Sequence, residues 1–224
     1  MKRGDLESRA YSELKSAIVT LVYPPGAQVV EDVVAKQLNM SRSPVRIAIK
    51  RLQAEGFLEQ RSNKRIYVAL INNKRTLDAL YIREALEGMS ARLAAKNATD
   101  EDKIHLKSML SDMEELLQQN NIYELYRMGF DLHKKIFYIS KNDQLARIGI
   151  NTLEQESVFS YHSLHQSLTR AVNAHQEHII IADHIIKGEE DAAEEAARKH
   201  VHHVIDRFKE ILIPEPPPQT LLLP

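Results

Sequence analysis

Arg42 and Arg46 stand one helical turn apart in the stretch from Asn39 to Ala48, which reads as a tight turn followed by the opening of a helix. A guanidinium carries a fork of N–H donors that matches O6 and N7 of guanine, so two arginines at a helix start are equipped to read base edges in the major groove. In this reading Ser43 is the N-cap and Pro44 the first helical residue, where a missing N–H costs nothing. Lys50 extends the same face, and Arg61, Asn63 and Lys64 follow at the tip of a candidate hairpin. Arg42, Ser43, Arg46, Lys50, Arg61, Asn63 and Lys64 are the candidate DNA contacts.

A second chemistry is carried by histidine. All ten histidines lie after residue 70. His178 precedes Gly188 by ten residues and His200 follows it by twelve, so if Gly188 ends one helix and Glu189-Glu190-Asp191 opens the next, both imidazoles sit at similar heights on antiparallel neighbours. His133, on another helix, would supply a third nitrogen, and three neutral imidazoles suit zinc or a similar divalent ion such as nickel or manganese. The alternative is that histidines are simply common on these helices. His162 with His165, and His175 with His178, are doublets one turn apart that more often lie on a polar face, while His202 and His203 read as surface residues near a helix end.

The elements that must hold these groups are legible from periodicity. Leu6, Ala10, Leu14, Ile18 and Leu21 give a first helix over Asp5 to Val22, stopped by Pro24-Pro25-Gly26. Residues 31–38 form a short helix ending at a left-handed Asn39, and a third helix runs to Glu55. Phe57 to Gln60 and Arg65 to Val68 read as a small hairpin. Three helices and such a hairpin describe a winged helix-turn-helix over residues 1–70. Residues 71–75 read as a linker, with Thr76 able to cap the next helix.

From residue 76 to 213 the pattern is almost purely helical, with a capping box near Thr99 to Asp102 and further segments at about 121–140, 142–168, 170–187 and 190–211. That is an all-α antiparallel helical bundle. The fold class is therefore mainly α. The tail over residues 214–224 is rich in proline and cannot be helical. No internal repeat is present.

Charge separates along the chain. Residues 1–70 hold twelve Lys/Arg against seven Asp/Glu, leaving eighteen against twenty-four for the remainder, so a formal net charge of −1 conceals a basic head. A basic domain has the sign needed to displace counterions from phosphate. A 224-residue chain that is 43% hydrophobic can build one or two real cores. No apolar run approaches the length of a membrane span, and the absence of cysteine excludes disulfides and thiolate metal sites. Cytoplasmic residence fits, with no membrane partner.

The first seventy residues resemble the GntR-type bacterial transcription regulators, through Tyr23-Pro24-Pro25-Gly26, Ser41-Arg42-Ser43-Pro44-Val45-Arg46 and Leu52-Gln53-Ala54-Glu55-Gly56-Phe57. The chain departs from that pattern at Ile47, where the family usually has Glu, and at Asp32, where some relatives have arginine. Its wing tip holds Ser62-Asn63 where the family often has glycine. DNA binding is implied; the operator sequence does not carry over. Residues 76–208 resemble the helical effector-binding (FCD-type) domain of the FadR-like branch, through Tyr81-Ile82-Arg83-Glu84-Ala85-Leu86-Glu87, Leu132-His133 and the spacing of Glu177-His178 to His200. In many members an aspartate four residues before the first histidine joins three histidines around a metal that helps hold a small carboxylate. Here that position is Gly129, and Asp131 lies about 200° round the helix from His133.

Arg83 has two readings. A guanidinium on the inward side of an apolar helix needs an anionic partner. The resemblance implies an effector carboxylate anchored there, whereas a structural role pairs it with Glu84, Glu87 or a neighbouring helix. The chain thus reads as an effector-responsive regulator of a palindromic operator, a homodimer whose two-fold axis matches the DNA. The alternative, a helical metal-dependent hydrolase using His133, His178 and His200, lacks a paired carboxylate or His-Glu-x-x-His motif and gives the basic head no role.

Overall fold

Asn39 sets the geometry of the N-terminal unit. The computed structural model describes residues 3–62, 64–70, 72–165 and 168–211, without the side chains of residues 3, 155–168 and 211. Asn63, the proline-rich tail, and the side chains of His162 and His165 therefore lie outside the described residues. Helix α1 (Arg3–Val19) stops before the expected Val22, because Leu21 turns into the left-handed region at φ 60° ahead of Pro24. Helix α2 (Glu31–Gln37) closes on Leu38, and Asn39 follows at φ 51°. The Asn39 N–H donates to the Lys36 carbonyl (3.2 Å) and the Met40 N–H to the Ala35 carbonyl (2.9 Å). That pair of hydrogen bonds ends a helix within one turn and reverses the chain.

Helix α3 (Arg42–Ala54) begins immediately after the reversal, so its N-cap is Ser41 (φ −71°, ψ 164°) and not Ser43. Ser43 and Pro44 become the second and third helical residues. Pro44 still fits, since an N–H in the first turn has no partner within the helix. The correction places Arg42 at the first helical position. Beyond α3, strands β2 (Leu58–Gln60) and β3 (Ile66–Val68) pair antiparallel with Leu58 opposite Val68, forming the wing. A two-residue strand β1 (Gln28–Val29), too short to show alternation in the sequence, adds to the other side of β3 to give the order β1-β3-β2. Leu14 and Ile18 of α1 meet Val45 and Leu52 of α3 in a shared core, each at most 2% exposed. Truncating Leu52 to Ala would cost about 2–5 kcal/mol.

The helical unit starts earlier than expected. Asn72 caps α4 (Asn73–Asn97) by accepting the Arg75 N–H at 2.8 Å, so residues 73–75 are helical and not linker, and Thr76 is not the cap. Asparagine in the N-cap position outcompetes a threonine one turn further in. Helix α5 (Asp100–Gln118) opens on the full capping box of Thr99 and Asp102. Then come α6 (Ile122–Ile139), α7 (Asp143–His165), α8 (Leu168–Lys187) and α9 (Glu190–Ile211). The segment expected at 170–187 begins two residues earlier, at Leu168.

Short turns fold these helices back on one another. Gly188 takes φ 76° and its N–H, with that of Glu189, closes the end of α8 on the Ile185 and His184 carbonyls. Helices α4, α6, α8 and α9 pack around the core, with α5 against α6 and α8. Gly149 of α7 lets Phe137 of α6 lie against its backbone, since a Cβ there would come within 2.2 Å of the ring.

Candidate metal centre and nucleic-acid interface

His133 sits on α6, His178 on α8 and His200 on α9, and the packing of these three helices brings their rings together. Each residue offers one nitrogen, and these atoms lie within 4.8 Å of one another. All three residues are buried, at 6%, 6% and 3% exposure. The Nε2 atoms of His178 and His133 are 3.1 Å apart. Nitrogens sharing a tetrahedral ion at about 2.05 Å would stand about 3.3 Å apart, so this pair is spaced as co-ligands are.

Two carboxylates orient the cluster from behind. Glu87 of α4 accepts from His133 Nδ1 at 3.0 Å, and Glu177 of α8 accepts from His200 Nδ1 at 2.7 Å. A proton fixed on Nδ1 leaves the Nε2 lone pair of a neutral ring free, which is how ligating histidines are held. Burial lowers His178 well below the ordinary value, with repulsion from His200 and His133 adding to it. His200 is likewise lowered by burial to about 4 against the opposing pull of Glu177. Both rings are neutral at pH 7 and able to donate a lone pair.

The carboxylates are themselves held ionised. Burial pushes Glu87 up, yet the Arg83 guanidinium and then His133 overcome this and keep it well below the usual carboxylate range. Burial also raises Glu177, but hydrogen bonding to His200 and the charge of Arg170 bring it down to about 2. Arg170 Nη1 donates to Glu177 at 3.0 Å and His203 Nδ1 shares the same carboxylate at 2.7 Å.

Position 129 lies one turn before His133 on α6. A Cβ built on Gly129 would stand 3.0 Å from His178 Cε1 and 3.7 Å from His178 Nδ1. That Nδ1 is buried and has no hydrogen-bond partner. The ring of His178 thus occupies room that a side chain at 129 would contest. Asp131 points away, 51% exposed and paired with Arg127, and takes no part.

Arg83 is buried against Glu87, one turn along α4, with Nε bonded to Oε1. This is the internal pair with Glu87 that the sequence allows for Arg83. A cavity of about 10 Å³ adjoins Glu87 and His133, room for a single small molecule the size of water. A larger groove of about 700 Å³ runs along α8 and α9, and reaches Glu177, His200 and His203 from outside. Sequence reasoning named Glu87 only as a partner for Arg83 and did not name Glu177 as a partner for His200. Both are pairs between helices, Glu87 of α4 with His133 of α6 and Glu177 of α8 with His200 of α9, so no spacing within one segment signals them.

In the N-terminal unit, Arg42, Ser43, Arg46 and Lys50 all lie on the exposed face of α3, opposite buried Pro44, Val45, Ala48 and Ile49. Arg42 is bonded to Asp32 and Arg46 to Glu31, neither of which the sequence reading paired. On the wing, Lys64 is exposed and takes φ 61°, the conformation a glycine would adopt freely. Arg61 is half-buried over the Tyr67 ring and bonded to Glu59.

Comparison with known proteins agrees with both halves. Residues 6–68 match the family profile described as bacterial regulatory proteins, gntR family, and residues 78–203 match the FCD domain. The chain is 26% identical over 194 residues to the Nta operon transcriptional regulator of Aminobacter aminovorans, covering 87% of this chain and 90% of that one. It is 30% identical over 182 residues to a probable D-xylose utilization operon transcriptional repressor of Paenarthrobacter nicotinovorans, covering 80% and 77%. Among solved structures, E. coli McbR/YncC superposes with a TM-score of 0.80 at 19% identity, over 94% of this chain and 99% of that one.

Proposed function

Because the chain belongs to the GntR family of bacterial regulatory proteins and carries an FCD domain after its DNA-binding head, we propose that it is a transcription regulator controlled through a three-histidine metal centre. The convergence of His133, His178 and His200 within 4.8 Å, with Glu87 and Glu177 fixing two of the rings, carries this reading. Three imidazole nitrogens suit zinc, nickel or manganese. A divalent ion there would supply a Lewis-acidic centre for the oxygens of an anionic effector. The family is one of regulators, and no hydrolytic role is assigned to the cluster.

The effector in this reading is a small organic acid. Gly129 contributes no carboxylate to the centre, so the positive charge of the ion is balanced by fewer protein ligands and favours an incoming anion. Arg83 is a second anchor, reached when the effector carboxylate displaces Glu87 from its guanidinium. Metal and effector then bind cooperatively, each raising the affinity of the other by the same factor.

The DNA partner is a palindromic duplex read by a homodimer. No helix among the described residues is long and apolar enough to cross a membrane, and the reading places the protein in the bacterial cytoplasm. Arg42, Ser43, Arg46 and Lys50 contact the major groove, while Arg61, Asn63 and Lys64 contact phosphate or the adjoining groove. Replacing Arg42 or Arg46 by Ala should weaken operator binding by about 1–3 kcal/mol. Lys64→Ala should weaken binding to all sequences alike and reduce the salt dependence. Equal operator affinity in both arginine variants and the parent would remove α3 from the interface.

A further inference from the structure

The two arginines at the start of α3 are each held by an acid from the start of α2. Glu31 takes Arg46 side-on: Nε donates to Oε2 at 3.0 Å and Nη2 to Oε1 at 2.8 Å. Arg42 Nε lies 2.6 Å from Asp32 Oδ1. Glu31 and Asp32 are consecutive, in the first turn of α2. The tight turn at Asn39 brings that turn alongside the first two turns of α3.

The geometry leaves the outer edge of each guanidinium uncommitted to these acids. A side-on pair uses Nε and one hydrogen of Nη2, and a guanine pair through the terminal edge uses Nη1 and the other Nη2 hydrogen. One arginine can therefore hold its acid and read a base at the same time. Both pairs are solvent-exposed, with Arg42 and Arg46 side chains 66% and 58% accessible. Ion pairs of that exposure stabilise a fold very little. Their value arises when DNA covers them: screening falls, and an arginine already fixed in one rotamer loses less entropy on meeting its base. The same two carboxylates face a polyanion, so they oppose binding wherever no guanine is present to be read.

We propose that Glu31 and Asp32 are specificity-determining positioning residues, which aim Arg46 and Arg42 at guanine and penalise binding to non-operator DNA. This rests on the reading that α3 enters the major groove, and the test separates the two.

The full chain selects its preferred duplex from a randomised pool. Affinity is then measured for that duplex, for the same duplex with each selected guanine replaced in turn, and for a random-sequence duplex, with thermal unfolding as a control of fold. Glu31→Gln and Asp32→Asn should each bind the random duplex about three- to tenfold more tightly and the selected duplex more weakly. Discrimination falls by about tenfold or more, and the penalty shrinks at the guanine read by the partnered arginine. Discrimination within twofold of wild type in either variant, with Arg46→Ala discriminating poorly, overturns the role of that acid alone. Full discrimination by both Arg42→Ala and Arg46→Ala removes α3 from the groove and takes the proposal with it.

Discussion

His178 Nε2 stands 3.1 Å from His133 Nε2 while its own Nδ1 is buried without a partner. Because Glu87 accepts the Nδ1 proton of His133, a neutral His133 presents a lone pair to His178. Either His178 spends its one N–H on that contact and buries a bare Nδ1, or it turns a second lone pair toward the first. The latter is favourable only with a shared cation. An unsatisfied buried polar atom costs about 1–3 kcal/mol, which ligation of a metal by both nitrogens readily offsets.

Position 129 offers a paired test of this arrangement. Gly129→Ala introduces a Cβ 3.0 Å from His178 Cε1, so the ring must shift and metal affinity should fall. Gly129→Asp introduces the same contact together with an anionic oxygen donor, and should bind metal at least tenfold more tightly than the alanine variant. Competition titration against a chromogenic chelator gives both constants. Equal affinities would show that position 129 does not face the ion.

Glu87 is expected to be a structural residue of the helical unit. Glu87→Gln removes the charge that bonds the buried Arg83 guanidinium and should destabilise the helical unit by about 3–5 kcal/mol in chemical unfolding. A variant as stable as the parent would show that the charge of Glu87 does not stabilise this buried pair.

Much of the fold was legible because helical periodicity is a local signal. The capping box at Thr99 and the left-handed Asn39 were read from residue types that admit few alternatives. Caps chosen among several candidates were less secure: Ser41 displaced Ser43, and Asn72 displaced Thr76, because the site of a helix start depends on the turn before it. The level placement of His178 and His200 came from residue counts across Gly188. The pairs made between helices did not. Glu177 with His203, and Glu31 with Arg46, depend on which helix faces meet, and no spacing within one segment reports that.

The homodimer proposed above, if built through the helical unit, has a candidate face on α4. Tyr81, Ile82 and Met89 are 47%, 52% and 40% exposed, an apolar stripe pointing away from buried Leu80, Arg83 and Glu87. Ile82→Asp should raise the dimer dissociation constant by tenfold or more in sedimentation analysis, and should weaken operator binding in step, since two linked heads gain affinity from an intramolecular second contact. A fragment for this purpose should begin no later than residue 72, because Asn72 caps α4. An unaltered dimer would assign the interface elsewhere.

Metal stoichiometry joined to operator affinity tests the three-histidine centre most directly. Wild-type protein, His178→Ala and His200→Ala are each purified, exposed separately to zinc, nickel and manganese, desalted and analysed for bound metal, and the unliganded proteins are titrated with the selected operator duplex. Wild type should retain one ion per chain, both variants should retain far less, and all three should bind the duplex alike when metal-free. No stoichiometric metal in wild type under any of these conditions would contradict a metal-controlled regulator, leaving the three histidines as structural residues or direct effector contacts with Arg83 as the principal anchor.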